Sequence, residues 1–144
     1  MAVRVQEAAF DLGAETEAFA NAQADMGAVV TFTGVTRERN RGQEVVRLDY
    51  EAFDAMAGPE MARIFGDCRA RFGDGEERRL RMLCVHRTGT VGVGEPSVVI
   101  AVASPHRDAA FQAARYLIDT LKERLPVWKK EVYGDGHHWI GDRS

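Results

Sequence analysis

Two lysines and a histidine–arginine pair are the residues of this sequence whose types and spacing could do chemistry. His106 and Arg107 follow a strongly apolar run and open an amphipathic segment that Pro126 ends. Free backbone N–H groups and the positive end of a helix dipole favour an anion at such a helix start. The pair could therefore bind a phosphate or a carboxylate. The alternative is a solvated first turn in which Arg107 pairs with a nearby carboxylate.

Lys122 lies in the last turn of the predicted helix, and Lys129 follows on a segment that is predicted to be extended. Alternate residues of an extended segment share a face, so Lys129 projects with Glu131 while Lys130 projects to the other side. Apolar neighbours disfavour the charged form of a lysine, which is how lysines become nucleophiles or proton-transfer groups near neutral pH. The alternative is a pair of surface lysines at a helix end, where cations are favoured anyway.

The predicted helix must position the His106–Arg107 pair at its start and Lys122 at its end, and its length decides whether both can reach one ligand. At 1.5 Å per residue it covers roughly 25 Å, so its two ends cannot face one small ligand unless the chain folds back. Either the helix begins later, near Asp108, or the pocket is long. The helix presents an apolar stripe toward the core, and a second stripe beside it; the first comprises Ala110, Ala114, Leu117 and Leu121, and the second Phe111, Ile118 and Leu125.

The remaining elements predict a mixed α+β fold. Residues 26–37 read as a strand buried on both faces, and residues 38–43 as a mobile polar loop. Residues 44–53 alternate, which places Val46, Leu48 and Tyr50 on one face. A helix is predicted after the break at Pro59, up to Phe72. Further strands are predicted over 2–6, 80–86 and 97–103, and a further helix over 14–24. Several strands adjoin without a helix between them, which favours α+β over a doubly wound parallel sheet.

Composition and charge exclude several classes of function. The chain has 144 residues, 45% of them hydrophobic and 28% charged, as expected for a single soluble domain spanning residues 1–144. No stretch suits a membrane span or a secretory signal, so a cytoplasmic location is expected. The net charge of −3 gives no reason to expect binding to nucleic acid or to an acidic membrane. Any anionic ligand must be held by a local cluster.

The cysteines and histidines do not have the spacing of a metal site. Cys68 and Cys84 are predicted to be buried thiols. The histidines are scattered or adjacent, and adjacent residues of an extended segment point in opposite directions; they are His86, His106, His137 and His138. No metal and no cofactor are therefore expected.

Several motifs together resemble the catalytic, or large, subunit of molybdopterin synthase, the MoaE family. They are residues 27–34 followed by Arg37, residues 48–51, 86–89 and 104–107, Lys122, and residues 126–131 with Trp139. The resemblance covers about residues 25 to 143, with the motifs in the family's order. The chain departs from it at His137-His138, where many members have Asp-Arg, and in ending at Ser144.

The resemblance implies a fold, an activity and partners. The fold is an α/β hammerhead-like mixed sheet with flanking helices and a small antiparallel subdomain. The activity is sulfur transfer from the C-terminal Gly-Gly thiocarboxylate of a small ubiquitin-like subunit to cyclic pyranopterin monophosphate, which forms the dithiolene of molybdopterin. The chain would form a homodimer that binds one small subunit at each end, a heterotetramer.

The same resemblance assigns roles to particular residues. Lys122 and Lys129 match the family's two essential lysines, and Arg143 matches an arginine that reaches a pocket across the homodimer interface. The substrate-binding residues that it implies are Val35, Thr36, Arg37, His106, Arg107, Lys130, Glu131 and Arg143. Two alternatives stay open: a scaffold that holds a ubiquitin-like partner without catalysis, and another enzyme acting on a phosphorylated heterocycle.

Overall fold

Two sheets and three helices make up the part of the chain that the computed structural model describes, residues 2–6, 11–21, 25–40, 42–136 and 138–143. The helices are α1 (Leu12–Asn21), α2 (Asp54–Phe72) and α3 (Arg107–Arg124). The strands are β1 (Ala2–Gln6), β2 (Ala28–Val35), β3 (Arg39–Asn40), β4 (Gln43–Ala52), β5 (Arg81–Arg87), β6 (Gly89–Gly92), β7 (Pro96–Ser104), β8 (Val127–Tyr133) and β9 (His138–Arg143). The predicted mixed α+β class is confirmed.

The first sheet has the strand order β1-β5-β7-β2, with β1 parallel to β5 and the other neighbours antiparallel. The second sheet is antiparallel, in the order β3-β4-β8-β9, with β6 also paired to β4. Helix α3 leaves the first sheet after β7 and delivers the chain to β8 of the second sheet. The end of α3 therefore lies where the two sheets meet.

The main core forms where α2 and α3 pack against the sheets. Its largest fully buried side chains include Phe65 and Met61 of α2, Leu117 and Leu121 of α3, and Ile100 of β7. A smaller cluster on the other face of the first sheet joins β5 and β7 to Phe19 of α1, as its predicted apolar side requires. No helix in the described ranges is long and apolar enough to cross a membrane.

The strand prediction for residues 26–37 is wrong in one respect. Strand β2 lies at the edge of the first sheet, and only one of its faces packs on the main core, through Ala28, Val30 and Phe32. Val29 and Val35 consequently remain 39% and 51% exposed. An apolar, β-branched sequence predicts a strand, but it does not reveal whether that strand lies at the centre of the sheet.

The predictions of a loop over 38–43 and of an inward-facing Val46 also need correction. The segment 38–43 is not only a loop, because it contains strand β3, which pairs with the start of β4. Gly42 adopts a φ of +76°, a conformation that glycine reaches without steric cost. The register of β4 then shifts between Val45 and Arg47, so Val46 is exposed rather than facing inward with Leu48. Such an irregularity reverses the alternation that the sequence pattern assumes.

The predicted start of the second helix at Pro59 is wrong as well. Helix α2 begins at Asp54 and contains Pro59. Its first turn is closed by the backbone N–H groups of Met56 and Ala57, which both donate to the Phe53 carbonyl. Ala57 is fully buried, and proline removes only one backbone donor. The helix therefore starts before the proline.

Both apolar stripes of α3 are buried except at Phe111, and this exception gives a stability prediction. Leu117 is fully buried, whereas Phe111, predicted to share the apolar surface, is 60% exposed. Leu117→Ala should lower the free energy of unfolding by about 2–5 kcal/mol because it leaves a cavity. Phe111→Ala should change it by no more than about 0.5 kcal/mol, as surface substitutions usually do. Urea unfolding of both variants checks this, and equal losses would contradict the assigned packing of α3.

Candidate active site

A cavity of about 240 Å³ opens where the end of α3 meets the two sheets. Strand β2 and the residues after it form one wall, β4 and β8 form another, and α3 contributes Ile118, Leu121 and Lys122. The predicted residues that line it are Val35, Thr36, Arg37, Lys122, Lys129 and Glu131. One cavity thus gathers side chains from three separate parts of the sequence.

Three cations share this cavity: Arg37, Lys122 and Lys129. Lys122 lies at the mouth and keeps solvent contact, yet its partial burial and the charges of Lys129 and Arg37 together lower its pKa. Each of these effects disfavours the protonated amine. Lys122 therefore gives up its proton more readily than a free surface lysine, while the cavity as a whole attracts anions.

Lys129 reaches the cavity because β8 is extended, as predicted. The buried residues Val127, Glu131 and Tyr133 alternate along the strand, and Lys129 lies on their face. Its Nζ is 3.6 Å from Oε1 of Glu131. The alternation places Lys130 on the opposite face of β8, and Lys130 is not among the residues that line the cavity.

Glu131 is a buried carboxylate, and its surroundings keep it ionised. Its Oε2 accepts hydrogen bonds from Tyr133 Oη at 2.6 Å and from Asn40 Nδ2 at 2.7 Å. Burial alone would raise the pKa of Glu131, but these two hydrogen bonds and the charge of Lys129 outweigh burial, so the pKa lies below its usual value. Glu131 thus offsets part of the positive charge of the pocket.

The floor of the cavity is neutral and polar. The ring of His86 meets that of Tyr50 edge-on at 5.2 Å, and burial lowers the pKa of His86 to about 4, so the imidazole is uncharged at neutral pH. Burial raises the pKa of Tyr50, against a hydrogen bond with Ser97, so this phenol also stays neutral. The Oγ1 of Thr36 is buried without a hydrogen-bond partner among the residues that the structure describes. These groups can bind an uncharged polar ligand edge.

The structure does not bring His106 and Arg107 into this cavity. Both are exposed at the start of α3, where Nε2 of His106 lies 2.5 Å from Oε2 of Glu77. Fifteen residues of helix separate Arg107 from Lys122, a rise of about 22 Å. Helix α3 begins at Arg107, within one residue of the later start near Asp108, and this start still leaves the two ends of the helix far apart.

Two predicted positions lie near the end of the chain. Arg143 ends β9, where its backbone pairs with Trp128 of β8. His137 and Ser144 lie outside the described residues, so the predictions that mention them have no structural counterpart here. Among the described residues no group of three or more histidine, cysteine, aspartate or glutamate side chains could hold a metal ion.

Several residues that line the cavity were not among the predicted site residues. Tyr50 lay on the predicted inner face of a strand, and a buried phenol needs a hydrogen-bond partner, so this signal could have indicated a polar floor. His86 and Ser97 carried a weaker signal as polar residues at the ends of apolar runs. Asn40 lay in a segment predicted to be a polar loop, where nothing in the local pattern indicates a pocket.

The cysteines are buried, as predicted. Cys68 and Cys84 are both free thiols, and burial raises the pKa of each to about 12. Because the thiolate is the nucleophilic form of cysteine, burial makes both thiols poor nucleophiles at neutral pH.

Comparison with known proteins agrees with this geometry. Residues 5–124 match the family model described as MoaE protein. The chain is 42% identical over 119 residues to the molybdopterin synthase catalytic subunit of Bacillus subtilis, covering 83% of this chain and 73% of the relative. It is 50% identical over 110 residues to the molybdopterin synthase catalytic subunit of Culex quinquefasciatus, covering 76% of this chain and 68% of the relative.

A crystal structure of molybdopterin synthase from Staphylococcus aureus superposes on this fold with a TM-score of 0.82 at 32% identity. The superposition covers 95% of this chain and 94% of that one. The matches in sequence and in fold extend over most of the chain and include β2, α3 and the strands between them. The chain therefore belongs to the MoaE family, the family of its relatives named molybdopterin synthase catalytic subunit.

Proposed function

We propose that this chain transfers sulfur from the thiocarboxylated C-terminus of a small ubiquitin-like subunit to cyclic pyranopterin monophosphate, forming the dithiolene of molybdopterin. The observation that carries the proposal is the convergence of Arg37, Lys122 and Lys129 on one cavity. The relatives are named catalytic subunits, which fits a small second subunit as the partner. We further propose that residues 1–144 act as one domain, in the cytoplasm.

The three cations suit the charges of both substrates. A thiocarboxylate is an anionic acyl donor, and a phosphate monoester carries up to two negative charges, so each gains from cations in a partly dry site. Arg37 can bind phosphate or carboxylate oxygens through two N–H groups, whereas a lysine acts as a point charge. Positioning both reactants in one pocket also removes much of the entropic cost of their encounter.

The two lysines have different surroundings, and we assign them different roles. Lys122 has a lowered pKa and is the group suited to transfer protons or to attack the acyl carbon. Lys129 lies beside the ionised Glu131 and is suited to neutralise charge that develops on the donor or the acceptor. The sulfur itself comes from the partner, since both cysteines of this chain are buried and protonated.

The neutral floor suits the heterocycle of the acceptor. A pterin edge presents N–H donors and carbonyl or ring-nitrogen acceptors, and the floor offers hydroxyl groups of Thr36, Tyr50 and Ser97. The unpartnered Oγ1 of Thr36 gains a hydrogen bond when such an edge is bound. Val35, exposed at the mouth, adds apolar contact.

We propose a homodimer in which each pocket is completed by the second copy. His106 and Arg107 cannot reach the cavity of their own copy, because about 22 Å of helix separates them from Lys122. In a suitably arranged dimer they can enter the neighbouring pocket and bind the substrate phosphate, together with Arg143. Lys130 remains a proposed substrate contact without a place in the cavity of a single copy. One small subunit per pocket at a time gives a heterotetramer. Because each thiocarboxylate carries one transferable sulfur, two small subunits in turn supply the two sulfurs of the dithiolene.

Arg107→Ala should weaken binding of the pyranopterin by about 1.5–3 kcal/mol, the loss expected for a hydrogen bond to a charged group. The affinity for the small subunit should stay nearly unchanged, because Arg107 is assigned to the phosphate of the pyranopterin and not to the tail of the small subunit. Isothermal titration calorimetry with each ligand measures both affinities. Equal loss of both would show that Arg107 supports the fold or the subunit interface instead.

Mixed dimers test whether the pockets are shared. Lys122→Ala copies and Arg107→Ala copies each give impaired dimers, but a mixed dimer contains one pocket with both residues intact. Co-refolding the two variants should therefore recover activity. If the mixture is no more active than the average of the separate variants, Arg107 acts within its own copy or not at all.

Reconstitution separates this function from its alternatives. The wild-type chain is mixed with pyranopterin monophosphate and a small subunit ending in either a thiocarboxylate or an ordinary carboxylate. Molybdopterin should form only with the thiocarboxylate. A scaffold would bind the small subunit without forming product, and a different heterocycle enzyme would consume the pyranopterin with either tail.

A further inference from the structure

Asn40 is the side chain that connects a cation of the pocket to the buried carboxylate. Its Oδ1 accepts a hydrogen bond from Nη2 of Arg37 at 3.3 Å, and its Nδ2 donates to Oε2 of Glu131 at 2.7 Å. The residue belongs to the short strand β3, which pairs with the start of β4, and it lines the cavity. One amide thus joins the segment after β2 to strand β8.

An amide is suited to this position because it offers a donor and an acceptor at once. A carboxylate could accept a hydrogen bond from Arg37 but would repel Glu131. A hydrocarbon side chain could neither accept from Arg37 nor donate to Glu131. Both hydrogen bonds involve a charged partner, which makes them stronger than neutral ones. Asn40 therefore couples the position of Arg37 to that of Glu131.

The contact also determines which oxygen of Glu131 faces Lys129. Oε2 accepts from Asn40 and from Tyr133, whereas Oε1 lies 3.6 Å from Nζ of Lys129. Tyr133 contacts Glu131 from its own strand β8. The charged and titratable groups that line the same cavity are Lys129 on β8, Tyr50 on β4, His86 on β5, Lys122 on α3, and Arg37 after β2. A shift of Glu131 would change where Lys129 presents its charge.

We propose that Asn40 is a positioning residue: it fixes Arg37 and Glu131 relative to each other, and through Glu131 it places Lys129 for the anionic substrates. This role rests on the proposed sulfur transfer, because the groups that Asn40 positions are those that meet the thiocarboxylate and the phosphate. Asn40 itself needs no contact with the reacting atoms. Its removal should therefore raise KM more than it lowers kcat.

Two substitutions at Asn40 and one control test whether this residue affects kcat/KM and its pH dependence. Asn40→Ala should lower kcat/KM by about tenfold, the effect of losing a hydrogen bond to a charged group. Asn40→Asp places a second carboxylate beside Glu131, so one of the pair keeps a proton to higher pH and the acid limb of the kcat/KM profile should move upward. Gln43→Ala changes the exposed residue that pairs with Asn40 in the hairpin and should leave both measurements at the wild-type level.

A measurement without turnover tests the contact itself. Carbon-13 NMR follows the titration of the Glu131 carboxyl group, assigned with a Glu131→Gln variant. The pKa of Glu131 should rise in Asn40→Ala, which loses a donor, and the carboxylate pair in Asn40→Asp should titrate at higher pH still. The Gln43→Ala control should titrate as wild type does.

The outcomes distinguish this inference from the proposed function. If the titration of Glu131 and the kinetics are unchanged in both Asn40 variants, or if Gln43→Ala changes them equally, Asn40 is not a positioning residue. If the wild-type protein transfers no sulfur at all, the proposed function fails, and the NMR titration still decides whether Asn40 controls Glu131.

Discussion

Lys122→Arg should lower the rate of single-turnover sulfur transfer by about 10²- to 10⁴-fold, the range for lost general acid–base catalysis, although it keeps the positive charge. The physical reason is the lowered pKa of Lys122, which burial, Lys129 and Arg37 together produce. A guanidinium group cannot give up its proton at a working pH. Lys122→Ala should be at least as impaired, so charge alone does not rescue activity.

The same helix provides a control for the Lys122 variants. Arg115→Ala also removes a cation from α3, but Arg115 is largely exposed and pairs with Asp119. Its loss should leave the rate nearly unchanged, because exposed ion pairs contribute little. Quenched-flow measurement of product, after folding and partner binding are verified, compares the variants. A Lys122→Arg protein as fast as wild type would reduce the role of Lys122 to that of a positive charge.

Lys129 should behave differently, because its neighbour is the ionised Glu131. If Lys129 neutralises developing charge, Lys129→Ala should lose about 10²- to 10³-fold in rate, as when one electrostatic donor is removed from an active site. Lys129→Arg should retain measurable activity since it keeps the charge. The measurement is the same single-turnover assay, with Arg47→Ala of the exposed face of β4 as the matched loss of one cation.

The Lys129 variants also report on Lys122. Since the charge of Lys129 helps to lower the pKa of Lys122, Lys129→Ala should raise that pKa, and Lys129→Arg should leave it low. NMR of the lysine side chains, with Lys122→Ala used for assignment, follows the titration. An unchanged titration of Lys122 in Lys129→Ala would mean that the two amines do not interact across the cavity.

The spacing of apolar and polar residues predicted those side-chain positions of the site that depend on one strand or one helix alone. The alternation of β8 is regular over Val127–Tyr133, so the sequence correctly separated Lys129 from Lys130. The helical period likewise placed Lys122 in the last turn of α3. In both cases the direction of a side chain follows from the geometry of one regular segment.

Other parts of the fold depend on contacts between distant segments, and the sequence pattern did not reveal them. The exposure of Val29 depends on which face of the edge strand β2 packs against the core, and the exposure of Val46 follows from a register shift against β8. Asn40 enters the cavity only because β3 folds back on β4. The strand order, the register and the pairing of β3 with β4 cannot be predicted from the spacing of apolar residues within one segment.

The predicted length of α3 implied that His106 and Arg107 at its start could not face the same small ligand as Lys122 at its end. The structure shows this for one copy: Lys122 lines the cavity, and His106 and Arg107 do not. The proposed dimer resolves this separation without a long pocket. The prediction of the helix length was therefore informative about assembly, although the sequence alone could not choose between the alternatives.

The origin of the sulfur atoms is the decisive observation for the proposed sulfur transfer. A small subunit carrying a thiocarboxylate labelled with sulfur-34 is mixed with unlabelled pyranopterin monophosphate and this chain, and the product is analysed by mass spectrometry. Both dithiolene sulfurs should carry the label with the wild-type protein, and little product should form with Lys122→Arg. Unlabelled dithiolene, or labelled product formed equally well by Lys122→Arg, would contradict this expectation.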